Sequence, residues 1–311
     1  MRLYLDVTDF RLFAHLGKSR SLSEAAAKSH LSLSAASTRI RNIEDNVGSK
    51  LLRRTNQGVV LTEAGEVFLK HSLSMLSQLD RLQADLSDLA QGLADTVRIY
   101  TNSTAAREYL PSILRQFLAL KPHVHVELST RISAEVAQGV AGGMADIGIF
   151  SKRLSVEDIV TRPYRTDRFV LAVSQSHPLA GKGSVHFGDT LDYEYIGVAD
   201  DLSIYGNLLA IANKEGKLFK SRVRVANYDT VMRLIAENVG IGILPEPIAR
   251  RYAGIAHIVQ LEDDWALRQW TICFRGLDSL SPSARDLLEL LIKDGDESAQ
   301  HSADLLEEDG A

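Results

Sequence analysis

From Glu66 to Gln91 the chain contains neither proline nor glycine, and Met75, Leu79, Leu82, Leu86, Leu89 and Leu93 recur at alternating spacings of four and three. That is the register of a coiled-coil seam. The pattern predicts one helix from Glu63 to Gln91, about 40 Å long at the usual rise per residue. Polar residues surround the narrow apolar seam, which favours pairing with a second chain over burial within its own domain. The helix separates two stretches of unlike pattern, and 311 residues suffice for two or three domains.

The stretch before the helix is basic. Residues 1–60 hold ten Lys or Arg against five Asp or Glu, a net +5, whereas the whole chain is −5, so the remainder carries −10. A basic module on an acidic body is the charge pattern of a protein that meets phosphates at one end. Within it, "SEAAAKSHLSLSAASTRIRNIE" (23–44) encodes two helices with a break between them. Ser21 and Glu24 match a capping box, and Ala25, Ala26 and Ala27 let a neighbouring helix approach closely. Ser32 is a second N-cap candidate and also an expected DNA contact at the start of the second helix. From Leu33 onward Ala36, Ile40, Ile43 and Val47 form a buried stripe, while Ser34, Ser37, Thr38 and Arg41 share a different face with no large apolar residue. Short hydroxyls and an arginine suit entry into a major groove; a helical hairpin with a solvated polar face has the same pattern. Gly48 ends this helix. "VVLTEAGE" then predicts a short strand turning into a helix, and the turn bearing Arg53, Arg54 and Asn56 predicts a wing that touches phosphates or the minor groove.

These motifs, in order, resemble the winged helix-turn-helix of LysR-type transcriptional regulators: "DFRLF", "SLSEAAAKSHLS", "SAASTRIRNIEDNVG", "LLRRT" and "LTEAG" stand where the family has its first helix, serine-initiated helix, recognition helix and wing. The sequence departs from the family at Leu33 and Ser34, where Gln-Pro is common, at Thr38 in place of an arginine, and at Gln57 in place of a second wing base. Those positions bear on operator sequence, not on the scaffold.

From Thr96 strands alternate with helices: "TVRIYT", "HVHVELST", "ADIGIF", "RFVLAVS", "YEYIGVA", "SRVRVAN", "IGILP" and "WTICF" are predicted strands, a pattern of α/β units. The segment from Val97 to about Ile292 resembles the LysR effector domain. The resemblance implies an α/β fold overall: an N-terminal winged helix-turn-helix (1–62), a linker and dimerisation helix (63–92), and a two-lobed, periplasmic-binding-protein-like α/β domain (93–293). Lobe I is expected over about 93–163 and 266–293 and lobe II over about 164–265, with crossovers near Arg162–Asp167 and Asp263–Leu267. In open α/β sheets ligands bind at the carboxyl ends of strands. Thr101, Asn102, Ser103 and Thr104 lie at such a strand end and helix start, where family members commonly hold a small carboxylate. Helix capping accounts for the same residues. Further effector candidates are Phe150, Ser151, Leu202, Ser203, Asn227, Thr230 and Pro245, and Asp200 and Asp201 would favour a cationic or hydroxylated ligand.

Enzymatic signatures are sparse. Cys273 lies in an apolar strand and is expected to be a small core residue. His123 and His125 would share a strand face, yet no further ligand at zinc-site spacing accompanies them. "GVAGG" and "GIGILP" are not nucleotide-cradling motifs. No metal or cofactor is expected. The tail from Asp294, with seven acids and no Lys or Arg, is expected to be disordered. A lone cysteine, an amino terminus interrupted by acids, and no run near the ~20 apolar residues that span a bilayer give a cytoplasmic protein as the expectation. The expected function is a transcription regulator that binds an interrupted palindrome in double-stranded DNA, pairs with itself through Met75, Leu79, Leu82, Leu86 and Leu89, assembles to a tetramer, and senses an unidentified small molecule. The resemblance also admits RNA polymerase as a partner. The rival is a two-lobed solute-binding or metabolic protein that does not use the helix-turn-helix for specific DNA binding.

Overall fold

The structure, a computed structural model, describes residues 4–19, 21–55, 58–90, 95–151, 156, 158–199 and 202–308, without the side chains of Arg54, Ala84, Asp85, Asp88, Leu202, Ser203 and 301–308. Expectations resting on Asn56, Gln57, Leu93, Asp200 and Asp201, and on the side chains of Arg54, Leu202 and Ser203, therefore lie outside the described residues.

Three helices, α1 (Val7–Ser19), α2 (Leu22–Lys28) and α3 (Leu33–Val47), pack around Leu12, Phe13, Leu16, Ala25, Ala26, Ala36, Ile40 and Ile43. Each fully buried large side chain contributes about 1.5–3 kcal/mol. The break between α2 and α3 falls at Ser29 and at His30, whose φ is 56°. Ser21 accepts a bond from the Glu24 amide as expected, but only half of the capping box forms. The Glu24 carboxylate turns to Lys28 at 2.6 Å, and Ser19 Oγ accepts the Ser21 amide instead. Gly48 ends α3 at φ 73°, a left-handed conformation open to glycine at no steric cost. The hairpin of β1 (Leu52–Thr55) and β2 (Gly58–Leu61) follows.

Helix α4 (Glu63–Ala90) begins against the first helix, with the Phe68 ring edge-on to Phe13 at 4.8 Å. It ends against the α/β domain. Arg81 donates to the Gly143 carbonyl at 2.7 Å and to Asp146 at 2.8 Å.

The α/β domain opens with β3 (Thr96–Thr101), α5 (Ser103–Glu108), α6 (Leu110–Leu120), β4 (His125–Thr130), α7 (Ser133–Ala141) and β5 (Ile147–Phe150). Strand β3 pairs in parallel with β4 and β5. Then come β6 (Val160–Ser174), β7 (Ser184–Val185), β8 (Tyr195–Val198), α8 (Leu202–Lys214), β9 (Ser221–Val225), α9 (Tyr228–Ala236), β10 (Gly242–Pro245), α10 (Glu246–Arg250), β11 (Ala256–Leu261), β12 (Leu267–Phe274) and α11 (Pro282–Glu308). The strand order β4-β3-β5-β12-β6-β11-β7, with β10 also on β6, makes one hydrogen-bonded sheet with two ends. The lobe I core gathers Ile99, Phe117, Trp270, Ile272 and Leu287; lobe II packs Phe187, Tyr195 and Val259 on one side of its sheet and Val170, Met232 and Leu244 on the other.

One boundary shifts, and one expectation needs correction. The first crossover lies within β6, which pairs with β12 as far as Arg168 and with β10 and β11 from Phe169 onward. The lobes therefore change hands at Arg168–Phe169, because the pairing with β12 runs to Leu267↔Arg168, about five residues beyond the expected end of lobe I at 163. The tail expected to be disordered from Asp294 is helical to Glu308. Its charge count argued for solvation, yet Leu291 and Gly295 are buried and Ser298 half-buried on one face, and Asp294 is held by Arg165.

Candidate functional site

Helix α3 offers the expected polar face. Ser32 caps the helix by accepting the Ala35 amide at 3.2 Å, and its hydroxyl lies 3.0 Å from that of Ser34. Ser34, Thr38 and Arg41 are exposed and Ser37 is half-buried, opposite the buried Ala36, Ile40 and Ile43. Several cations of this module differ in their partners. Arg39 bridges Asp6 (3.0 Å) and Asp9 (2.7 Å), Lys28 pairs with Glu24, and Lys50 pairs with Glu44 at 2.6 Å. Arg41 and Arg53 have no acidic partner among the described residues and stand exposed.

Glu44 positions the hairpin against α3. Its carboxylate accepts the amides of Leu51 (3.0 Å) and Leu52 (3.3 Å) as well as the Lys50 ammonium. Burial alone would raise its pKa, but Lys50 and the two amides hold it below the usual glutamate value. A groove of about 300 Å³ results between helix and hairpin, with Ser37, Arg41, Lys50 and Val59 in its walls. Arg53 and Arg54 are consecutive on β1, where their backbones stand opposite Val60 and Val59.

The second candidate region lies where the two lobes meet. Thr101 and Thr104 are buried, and Thr101 Oγ1 has no hydrogen-bond partner among the described residues. Asn102 occupies the N-cap of α5 without capping it; its side chain donates to the Arg131 carbonyl at 3.1 Å and faces the Ser133 hydroxyl at 3.5 Å. Ser103 is half-buried. Thr104 faces Arg268 of β12, whose Nη1 lies 3.5 Å from Thr104 Oγ1. The Arg268 guanidinium makes two 2.6 Å bonds to Asp167, with the two side chains only 8% and 7% exposed. It also stacks on Phe169 at 4.4 Å and Trp270 at 5.0 Å. Pro245 sits opposite Phe169 in the sheet. Across the lobes, Arg251 pairs with the buried carboxylate of Glu108 at 3.1 Å.

Other expected effector residues separate from this group. Phe150 is corrected from cleft to core: its ring packs with Val136, Val140 and Cys273, because the end of β5 lies under α7. Ser151 is half-buried just beyond that strand. Asn227 caps α9 by accepting the Thr230 amide at 2.9 Å and the Thr230 hydroxyl at 3.1 Å, so both have a structural role. Leu202 and Ser203 begin α8. Burial pushes the Cys273 thiol up to about 12, which leaves it un-ionised at neutral pH. His123 lies in the turn before β4, and His125 opens the strand. No group of three metal-binding side chains occurs among the described residues.

Sequence reasoning missed Arg268, Asp167, Tyr109, Arg165 and Asp294. Arg268 carried a usable signal: it is in phase with Trp270 and Ile272 on the inward face of a strand, where an unpaired charge would not be tolerated.

The structure thus defines a winged helix-turn-helix protein with unpaired cations on its recognition face and a two-lobed α/β domain joined at an ionic hinge. The chain belongs to the LysR family. Residues 7–66 match the bacterial regulatory helix-turn-helix protein model of that family, and residues 90–295 match the LysR substrate binding domain. The HTH-type transcriptional activator IlvY of Salmonella typhimurium is 26% identical over 247 residues, 78% of this chain and 83% of that protein. Among solved structures, full-length CbnR complexed with its target DNA aligns with a TM-score of 0.51 at 18% identity, over 94% of this chain and 100% of that one. The effector-binding domain of BenM with its effector benzoate aligns at 0.54 and 21% identity, over 64% of this chain and 91% of that one. No described helix is long and apolar enough to cross a membrane.

Proposed function

We propose that this LysR-family regulator binds double-stranded DNA through residues 1–62, with Ser34, Ser37, Thr38 and Arg41 entering the major groove and Arg53, Arg54 and Asn56 on the wing. The observation that carries this is the sorting of cations: Lys28, Arg39 and Lys50 are matched to local acids, while Arg41 on the groove wall and Arg53 on the hairpin stand exposed without an acidic partner among the described residues. Residues 63–92 form the pairing helix. Met75, Leu79, Leu82, Leu86 and Leu89 are between 37% and 66% exposed along α4, an apolar stripe that a second copy would cover. Two recognition helices on one two-fold axis read an interrupted palindrome, and tetramer assembly follows the full-length LysR pattern.

Residues 93–293 hold a small-molecule effector between the lobes, near Thr101 and Thr104; Ser151, Leu202, Ser203 and Pro245 border that reading, and Asn227 and Thr230 act as a cap. The two-lobed domain of BenM with benzoate supports a small carboxylate as the first ligand class to test. The protein acts in the cytoplasm and without catalysis.

Selection of bound fragments from sheared genomic DNA by the purified protein tests this function. An enriched dyad with fixed half-site spacing is the expected result. No enrichment by a folded dimer would refute specific DNA binding.

A further inference from the structure

A continuous polar chain leaves the hinge from Asp167. Asp167, already bound to Arg268, also accepts the Tyr109 hydroxyl. The Tyr109 ring carries the Arg165 guanidinium at 5.1 Å, and Arg165 lies 5.4 Å from the Tyr164 ring as well. Arg165 donates to both carboxylate oxygens of Asp294 on α11, at 3.1 and 2.5 Å, and to the Ser298 hydroxyl at 3.3 Å. The Tyr164 hydroxyl donates to the same Asp294 at 2.7 Å. At the next residue a Cβ on Gly295 would stand 2.8 Å from the Tyr164 carbonyl oxygen, so helix and strand meet at backbone distance.

The chain touches both crossovers. Tyr164, Arg165 and Asp167 belong to β6, and Arg268 belongs to β12. Every other member (Thr104, Tyr109, Asp294 and Ser298) belongs to lobe I. The crossover strands are therefore gripped from two sides, by the α5–α6 corner and by the carboxyl-terminal helix. A strand so held cannot be the part that bends.

We propose that Arg165 and Asp294 form one jaw of a clamp that fixes both crossover strands to lobe I, which places the pivot of the two lobes at Arg168–Phe169 and Ala266–Leu267. Asp294 is then a positioning residue, and the acidic end of the chain sets how freely the cleft moves. Phe169, the first residue past the grip, stacks on Arg268, so rotation of lobe II is felt at once by the guanidinium that faces Thr104. The charges of the chain cancel in pairs, Arg268 with Asp167 and Arg165 with Asp294. The clamp therefore fixes geometry without adding charge to the cleft. This inference rests on the cleft as the effector site, but it can be tested without an effector.

Hydrogen exchange of the full-length, ligand-free protein provides the test, on wild type, Asp294→Asn, Tyr109→Phe and the double variant. Asp294→Asn should raise exchange about tenfold in peptides covering 160–168 and 103–109, while lobe II peptides of β10 and β11 stay unchanged. Tyr109→Phe keeps the ring under Arg165 but cuts the link to Asp167. In that background Asp294→Asn should still loosen 160–166 yet add nothing at 103–109. Asp294→Glu should restore protection in part. A rise confined to 294–308, a uniform rise that includes lobe II, or independent effects of the two substitutions at 103–109 would each overturn the clamp. A failed DNA selection would leave these exchange results as they are, so the two readings fail separately.

Discussion

Arginine does opposite work at the two ends of this molecule. On α3 and the wing, Arg41 and Arg53 are exposed and unpaired, so their charge is available to something outside the chain. At the hinge, Arg268 and Arg165 are turned inward and matched by Asp167 and Asp294, so their charge is spent on holding strands in register. Exposed cations set affinity, and buried matched ones set shape. A net-charge count along the sequence detects only the first kind, because the second cancels itself.

Substitutions can break this comparison. The largest effect belongs to the hinge: Asp167→Asn leaves Arg268 buried without its counter-charge and should cost about 3–5 kcal/mol, read by urea unfolding followed by circular dichroism. Stability changed by under about 0.5 kcal/mol would mean that the pair is not buried as described. Next comes Arg41→Ala, which should weaken DNA binding by about 1–3 kcal/mol while leaving the urea midpoint unmoved; a salt slope lower by about one would assign Arg41 to a phosphate rather than to a base. If the midpoint fell instead, Arg41 would belong with the structural cations.

Glu44 sharpens the contrast, being a matched charge inside the DNA-binding module. Glu44→Gln should destabilise by about 1.5–3 kcal/mol at neutral pH, since it weakens hydrogen bonds to a charged group. Its folded pKa lies below the unfolded one, so its stabilisation is complete above the ordinary glutamate value and is lost as pH falls through that value and below. Wild type and variant should therefore converge in acid, and parallel stability curves down to pH 2 would exclude the Glu44 charge as the cause. The smallest effect is Ser32→Ala, about 1 kcal/mol for a lost N-cap, visible in thermal unfolding and without effect on the hinge.

Legibility in the sequence follows the same division. The helix-turn-helix could be read because its signals are local: Ser32 before an apolar stripe, Gly48 after it, and the seam from Met75 to Leu89 each lie within one or two turns of what they specify. The hinge could not be read that way. Arg268 and Asp167 are far apart in the chain, and nothing near either names its partner. A strand end such as Phe150 predicts a cleft residue, but α7 covers that end. Composition alone places Asp294 in a disordered tail, although its position one turn before Ser298 on the same face as Leu291 continues the helical period.

The chain has only two tryptophans, and both flank the crossovers. Trp270 lies edge-on to Tyr109 at 5.5 Å beneath the Arg268 guanidinium, and Trp265 packs against Phe187 at 5.5 Å and Phe169 at 6.4 Å. The indole Nε1 of each is buried without an acceptor among the described residues. All of the intrinsic ultraviolet emission from indole therefore originates beside the two strands that join the lobes, where it depends on a nearby cation and on ring packing. An unlabelled sample in a fluorimeter is in effect an optical gauge of the hinge, and a library of small acids could be screened against it before any promoter is known.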